Sequence, residues 1–416
     1  MNITIEPSRL EGAITPPPSK SQAHRLILCA ALAEGESAIS NVDLSQDILA
    51  TLRCTEALGA SWSLAGDTLR LAGCGNPGPF LHGGRPLLRF DCGESGSTLR
   101  FLIPLALALT GGGVFTGQGR LLQRPLGPYL ALLEGKGITC TLTKEALILR
   151  GTLTPGLYRL PGDVSSQFFT GLLYGLSLLE EPSVLESTTP LESAAYVDMT
   201  IQAMGRFGVT VSRKEAGRFQ IPGGQPYKAQ ALSVEADWSQ AAFWYAAAGV
   251  GNAVTVTGMA KDSLQGDRII LEHGKQLTSP EESLTLDMSG CPDLLPPLAA
   301  WAALRSGGVT VLDNAGRLRM KESDRLKSVT AVLRTLGADV TETPDSLVIR
   351  GQETLPGGIA TDCWGDHRIA MMAAIAATRC REPVMLRGAE CVAKSYPGFW
   401  EDYRMLGGII HEHPGA

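Results

Sequence analysis

Pro16-Pro17-Pro18-Ser19-Lys20-Ser21-Gln22-Ala23-His24-Arg25, followed at once by Leu26-Ile27-Leu28-Cys29-Ala30-Ala31-Leu32-Ala33, is the stretch on which the fold turns. Three prolines stiffen the approach, and proline is tolerated just before a helix but not deep inside one. Ser19 is a good N-cap residue. The first turn then carries Ser21, Lys20 and Arg25, while the body is apolar enough to be buried all round. Exposed N–H groups and the positive end of the helix dipole make such a first turn a place to hold an anion.

The same arrangement recurs. Polar residues introduce apolar, alanine-rich runs near Ser19, Ser95, Ser165, Asp237, Asp293 and Asp366, at intervals of roughly 55–75 residues. A glycine-rich turn and a β-branched run follow, as in Gly307-Gly308-Val309-Thr310-Val311-Leu312. In most units an amphipathic helix comes next and stops at glycine. Ile48, Leu49, Leu52 and Leu58 before Gly59 have helical spacing, as do Leu326, Val329, Val332, Leu333 and Leu336 before Gly337. An alternating hairpin closes the unit, for example residues 338–341 with 346–349. The pattern predicts an α/β chain of six βαβαββ repeats. Six such units exceed one comfortable core. They divide three and three at Glu235-Ala236-Asp237, giving a domain of residues 17–236 and a second of 237–416 joined by the N-terminal strand, 1–16.

Composition narrows the function. The 416 residues are 44% hydrophobic and 19% charged, which specifies a globular chain. A net charge of −6 leaves no basic field for nucleic acid, so any anion must be held by a local cluster. The nine cysteines form no C-x-x-C pair, which argues against zinc and thioredoxin-like sites and for reduced thiols in the cytosol. Met1–Glu6 reads as a strand rather than a signal or transit peptide. The apolar run Phe101–Leu109 contains Pro104 and is too short to span a membrane. His411 and His413 are expected on a frayed, solvated terminus rather than at a metal.

Nine short motifs in order carry a resemblance. They are Ser19-Lys20-Ser21…Arg25, Gly93–Arg100, Gln123–Gly127, Ser165-Ser166-Gln167, Ser193 with Tyr196, Pro292-Asp293, Lys321-Glu322-Ser323-Asp324-Arg325, Asp366-His367-Arg368 and Lys394. Across essentially its whole length the chain resembles the enolpyruvyl transferases, and within them the branch that acts on shikimate 3-phosphate. The resemblance implies a two-domain fold (an inside-out α/β barrel) whose buried helices aim their N-termini at a cleft between the domains. It implies transfer of the enolpyruvyl group of phosphoenolpyruvate to the 5-hydroxyl of shikimate 3-phosphate, with release of phosphate through a tetrahedral intermediate. It also implies no metal and no organic cofactor. The expected partners are the two small-molecule substrates, not nucleic acid or membrane, and the expected state is a cytoplasmic monomer.

Carried residue by residue, the resemblance assigns phosphoenolpyruvate to Lys20, Gly96, Arg124, Gln167, Arg325, Arg368 and Lys394. It assigns shikimate 3-phosphate to Ser21, Arg25, Ser165, Ser166, Gln167, Ser193, Asp293 and Lys321. Asp293 is the implied partner of the 5-hydroxyl, Glu322 the implied proton donor to carbon, and Lys20 and Lys321 the implied stabilisers of developing charge. The residue types suit the task. Both substrates are multiple anions, arginine grips phosphate or carboxylate with two parallel bonds, and lysine acts as a point charge. Two carboxylates held in different protonation states can move protons in both directions. Gly96 lets a ligand approach the backbone, and a side chain there should crowd phosphoenolpyruvate.

Other readings weigh less. Lys321–Arg325 alone could be a charged helix start with i,i+4 pairing. Gly93–Arg100 lacks the G-K-[ST] ending of a nucleotide loop. Asp237 is expected to be a cap outside the catalytic set, and Met371-Met372 and Phe168-Phe169 to be core. Where many relatives have asparagine and alanine this chain has Glu94 and Ser95, and Arg317 stands where asparagine is common. The related transferase acting on UDP-N-acetylglucosamine typically has Lys-Asn at Lys20-Ser21 and a reactive cysteine at Gly119. A non-catalytic anion-binding protein of the same fold would have lost the carboxylates or lysines, and none is lost.

Overall fold

The structure is a computed structural model that describes residues 1–75 and 86–413. The chain forms two compact units, residues 18–235 and residues 1–17 with 236–416.

Residues 18–235 contain six helices among those described: α1 (Lys20–Leu32), α2 (Gln46–Ala57), α3 (Gly96–Leu109), α4 (Gly127–Glu134), α5 (Ser166–Ser177) and α6 (Ala194–Arg206). α1, α3 and α5 are buried along nearly their whole length, as their unbroken apolar runs require. Each fully buried Leu, Ile or Phe there contributes about 1.5–3 kcal/mol. Pro104 sits inside α3 and cannot bond the carbonyl of Arg100. The Tyr129 hydroxyl of α4 donates to that oxygen instead, at 3.3 Å. α5 crosses α3 on two glycines one turn apart. A Cβ at Gly171 would lie 2.3 Å from the Arg100 oxygen, and one at Gly175 would lie 2.6 Å from the Pro104 Cβ.

Three four-stranded sheets surround this core on one plan. The first runs Ala231–Ser233, Glu36–Ser40, Thr68–Ala72, Ser61–Ala65, with a parallel pair followed by antiparallel pairs. The second (Arg89–Asp91, Gly112–Thr116, Ala146–Arg150, Thr139–Leu142) and the third (Leu157–Leu160, Ser183–Ser187, Arg218–Ile221, Ser212–Glu215) repeat it. Alternation sets the inner face, with Leu69 and Leu71 buried and Arg70 exposed between them.

The other unit holds α7 (Trp238–Gly249), α8 (Ile270–Leu277), α9 (Leu295–Ala303), α10 (Arg325–Thr335), α11 (His367–Ala377) and α12 (Phe399–Met405). All eleven residues of α11 are buried. One sheet, Ser283–Asp287, Val309–Asp313, Leu347–Arg350, Asp339–Glu342, follows the common plan. Another runs Ala360–Asp362, Val384–Arg387, Asn2–Glu6, Ile409–His413, so the first strand of the chain fills the inner hairpin position beside the last.

Two expectations need correction. The tail is no frayed end: Ile409–His413 is a paired strand, and His413 Nε2 lies 2.9 Å from Thr4 Oγ1. The repeat of α7 and α8 is abbreviated. Among the described residues its strand Ala253–Val256 pairs only with Glu11–Ile14, in parallel, and α8 leads directly into the next sheet without a hairpin. All nine cysteines are free. No helix among the described residues is long and apolar enough to cross a membrane.

Candidate active site

The chemistry collects at the helix starts. The Ser19, Ser95 and Ser165 hydroxyls cap α1, α3 and α5 by accepting from Gln22, Thr98 and Gln167 N–H, and Asp366 caps α11 by accepting from Arg368 N–H. The six starts are not equivalent. At α7 the Asp237 carboxylate claims the N–H of Ser239 and Gln240, and Gln265 Oε1 claims that of Trp238. α9 opens with a 3-10 turn and has Pro296 and Pro297 in its first turn, which lack N–H donors.

In residues 18–235, one polar chain ties the starts of α1 and α3 together. His24 Nδ1 lies 2.7 Å from Thr51 Oγ1, Thr51 2.7 Å from Thr98 Oγ1, and Thr98 donates to Ser95 Oγ at 2.8 Å. Burial, then the charges of Lys20 and Arg25, hold His24 well below its usual pKa, so it stays neutral beside two cations. Lys20 Nζ is 2.7 Å from Asp47 Oδ2, a partner the sequence did not point to. Arg25 is buried, donating to Ser21 O at 2.6 Å, Tyr196 O at 2.9 Å and Thr200 Oγ1 at 2.9 Å, with its guanidinium over the Phe101 ring. Ser193 lies just before Tyr196 in the left-handed region, at φ 51°, an unusual place for serine.

The starts of α3 and α5 meet through Gln167. Arg100 Nη1 donates to its Oε1 at 2.7 Å, and its Nε2 donates to Ser97 Oγ at 2.9 Å. Gly96 stands against two cations, and a Cβ there would lie 2.8 Å from Nη1 of both Arg100 and Arg124. Ser166 is buried in the first turn of α5. Lys20, Ser21, Arg25, Gly96, Arg124, Ser165, Ser166, Gln167 and Ser193 thus all lie at or beside first turns, except Arg124, which follows a short 3-10 turn.

In the other unit the candidates form one ion-pair network around Arg325, which is 1% exposed. Its Nη1 donates to Asp293 Oδ1 at 2.6 Å, Nη2 to Glu322 Oε2 at 2.8 Å, and Nε to Asp366 Oδ2 at 3.0 Å. Arg368 Nη2 donates to Asp293 Oδ2 at 3.1 Å, and Lys321 Nζ lies 3.8 Å from Asp293 Oδ1. Ser323 donates to Asp366 at 3.0 Å. Lys394 donates to the Gly365 carbonyl at 2.8 Å. Lys321, Glu322 and Ser323 precede α10, whose cap is Asp324, so the motif is a loop rather than a helical charge pair.

The electrostatics separate the groups. Burial pushes the Asp293 pKa up, but Arg368, Lys321 and Arg325 hold its carboxyl well below the usual range. Burial lowers Lys321 to about 8, partly opposed by Asp293. Asp293 is therefore held ready as an acceptor, and Lys321 gives up its proton more readily than an ordinary lysine. Among the described residues no group of three or more His, Cys, Asp or Glu side chains is placed to hold a metal ion.

Sequence reasoning did not single out Asp47, or Asp267, whose buried carboxyl lies near Asp293. It favoured function over a structural cap for Asp366-His367-Arg368 but gave Asp366 no role of its own; that carboxylate both caps α11 and holds Arg325. No local motif marks Asp47 or Asp267.

The chain resembles known proteins throughout. The family model for EPSP synthase (3-phosphoshikimate 1-carboxyvinyltransferase) matches residues 5–403. The 3-phosphoshikimate 1-carboxyvinyltransferase of Clostridium kluyveri is 46% identical, over 99% of this chain and 98% of that protein. That of Clostridioides difficile is 42% identical, over 99% and 98%. The solved EPSP synthase of Acinetobacter baumannii superposes with a TM-score of 0.79 at 26% identity, covering 99% of this chain and 100% of that one. The enolpyruvyl transferase NikO of Streptomyces tendae, at 17% identity and a TM-score of 0.77, shares the fold. With the predicted α/β architecture observed and the family model matched from Ile5 to Tyr403, the chain belongs to the EPSP synthase family.

Proposed function

We propose that this chain transfers the enolpyruvyl group of phosphoenolpyruvate to the 5-hydroxyl of shikimate 3-phosphate, releasing phosphate. The observation that carries the reading is the Arg325 network, which gathers Asp293, Glu322, Lys321 and Arg368 in a member of this family. Asp293, held ionised, accepts the 5-hydroxyl proton as that oxygen bonds to C2 of phosphoenolpyruvate. Glu322 delivers a proton to C3, giving a tetrahedral ketal phosphate. Glu322 then takes a proton back from the C3 methyl group, re-forming the double bond as the C–O bond to phosphate breaks, and the proton held by Asp293 leaves with the phosphate. Lys20 and Lys321 stabilise charge on the leaving phosphate.

Phosphoenolpyruvate is assigned to Lys20, Gly96, Arg124, Gln167, Arg325, Arg368 and Lys394. Shikimate 3-phosphate is assigned to Ser21, Arg25, Ser165, Ser166, Gln167, Ser193, Asp293 and Lys321. The UDP-N-acetylglucosamine alternative is disfavoured at Gly119. Its φ is +56°, a backbone conformation that the rival's cysteine would adopt only with strain. Nine free thiols fit a cytoplasmic setting, and we assign a monomer.

Phosphate release should require phosphoenolpyruvate and shikimate 3-phosphate together. Release with UDP-N-acetylglucosamine instead would refute the reading. Glu322→Gln should lower kcat by about 10²–10⁴-fold while changing the Kd for shikimate 3-phosphate little. Stopped-flow turnover and calorimetric binding on the same preparation measure both, and unchanged kcat would remove Glu322 from this role.

A further inference from the structure

Thr51 is assigned to neither substrate, yet it stands between two helix starts that carry phosphoenolpyruvate in the reading above. It lies on α2 one turn after Asp47, so the two share a face of that helix. Asp47 Oδ2 holds Lys20 Nζ at 2.7 Å. Thr51 Oγ1 lies 2.7 Å from His24 Nδ1 on α1 and 2.7 Å from Thr98 Oγ1 on α3. Thr51 and Thr98 are fully buried, and His24 and Ser95 nearly so. α2 therefore grips the start of α1 twice and the start of α3 once, with short bonds shielded from water.

These bonds have a direction. Thr98 gives its hydroxyl proton to Ser95 Oγ at 2.8 Å. At its contact with Thr51 it must therefore accept, which makes Thr51 the donor there. The same Thr51 hydroxyl has a weaker contact with Asp47 O, at 3.4 Å. With its proton spent, Thr51 can only accept from His24, so Nδ1 of that ring carries the hydrogen. Nε2 is buried without a hydrogen-bond partner, and a hydrogen placed there would be an unsatisfied donor.

We propose that Thr51 is a positioning residue for phosphoenolpyruvate: through His24 on one side and Thr98 and Ser95 on the other, it fixes the spacing between Lys20 and Gly96. This rests on the transferase reading above, which assigns both residues to that substrate. Ser95 caps α3 immediately before Gly96, so a slack chain lets the Gly96 backbone move. Shikimate 3-phosphate should feel the change less. Arg25, though on α1, is anchored from α6 instead, by Thr200 Oγ1 and Tyr196 O, each at 2.9 Å.

Thr51→Val keeps the shape of the side chain and removes both bonds. KM for phosphoenolpyruvate should rise about fivefold or more, while KM for shikimate 3-phosphate stays within about twofold of wild type. Thr51→Ser keeps the hydroxyl and should restore the wild-type value. Thr98→Val cuts the same chain one link further on, so the double variant should be no worse than the poorer single one. Additive effects, an equal rise in both KM values, or a lower melting temperature with both KM values unchanged would leave Thr51 a structural residue and overturn the proposal. Nitrogen-15 NMR of the unliganded protein reads the His24 ring even if Thr51→Val fails to fold. Hydrogen on Nδ1 supports the proposal, and hydrogen on Nε2, or a charged ring at pH 7, overturns it. A wild-type chain with no transfer activity would instead sink the transferase reading, leaving the ring tautomer to judge the chain of bonds itself.

Discussion

Arg325 shows how much one side chain can organise. Three carboxylates surround it, and burial alone would lower its pKa. Asp366, Glu322 and Asp293 instead hold the guanidinium more firmly charged than usual. Arg325→Met should cost about 3–5 kcal/mol, because it takes the shared cation from three carboxylates, and Asp366 among them is fully buried. Urea denaturation measures this, and a loss below about 1 kcal/mol would mean that the network relaxes around the gap. Gly96 makes the opposite case. The atoms a Cβ would meet are the tips of Arg100 and Arg124, which can swing aside, so Gly96→Ala should leave the melting temperature nearly unchanged. It should nevertheless displace two guanidinium groups and raise KM for phosphoenolpyruvate about tenfold or more. Equal KM values for variant and wild type would take Gly96 out of the binding surface. Gly96 could be noticed in the sequence because its motif and its missing side chain are local. Asp47 beside Lys20 could not, since 27 positions separate them and either could have met solvent instead.

Among the elements, α3 and α5 carry the sharpest constraint. Pro104 removes one backbone bond, Tyr129 replaces it, and Gly171 lets α5 approach the same carbonyl. Gly171→Ala would press a Cβ against backbone that cannot move alone. It should destabilise the protein by about 3 kcal/mol, while Tyr129→Phe should cost about 1–2 kcal/mol for the unpaired oxygen. Chemical denaturation of both variants checks this order, and an equal or reversed cost would contradict the packing described. The helix starts were legible where the signal was local. Ser19, Ser95, Ser165, Asp237 and Asp366 cap the helices expected of them. That α7 and α9 offer fewer N–H donors than the others was not legible for α7, since Gln265 reaches Trp238 from 27 residues away. For α9 it could have been read from Pro296 and Pro297.

At the scale of the molecule, strand Asn2–Glu6 links the two ends of the chain. It lies in the middle of its sheet with Ile3 and Ile5 fully buried. Deleting residues 1–15 should leave Val384–Arg387 and Ile409–His413 as unpaired edges and open that unit. Hydrogen exchange should then show lost protection in those two strands, while Glu36–Ser40 keeps its own. Equal loss in both units, or none in either, would contradict this. By itself the sequence determined the recurring polar helix starts, most of the helices and hairpins between them, and the caps at five of the starts. Caps, glycine stops and alternation act over a few residues and leave their mark in order along the chain. The tertiary structure alone decided which side chains meet: Asp293 and Asp366 on Arg325, Thr200 on Arg25, Ser239 on Asp267, and the tail beside the first strand. Those pairings span tens to hundreds of residues, and they are chosen by burial, which leaves a charge no partner but the one the fold brings to it.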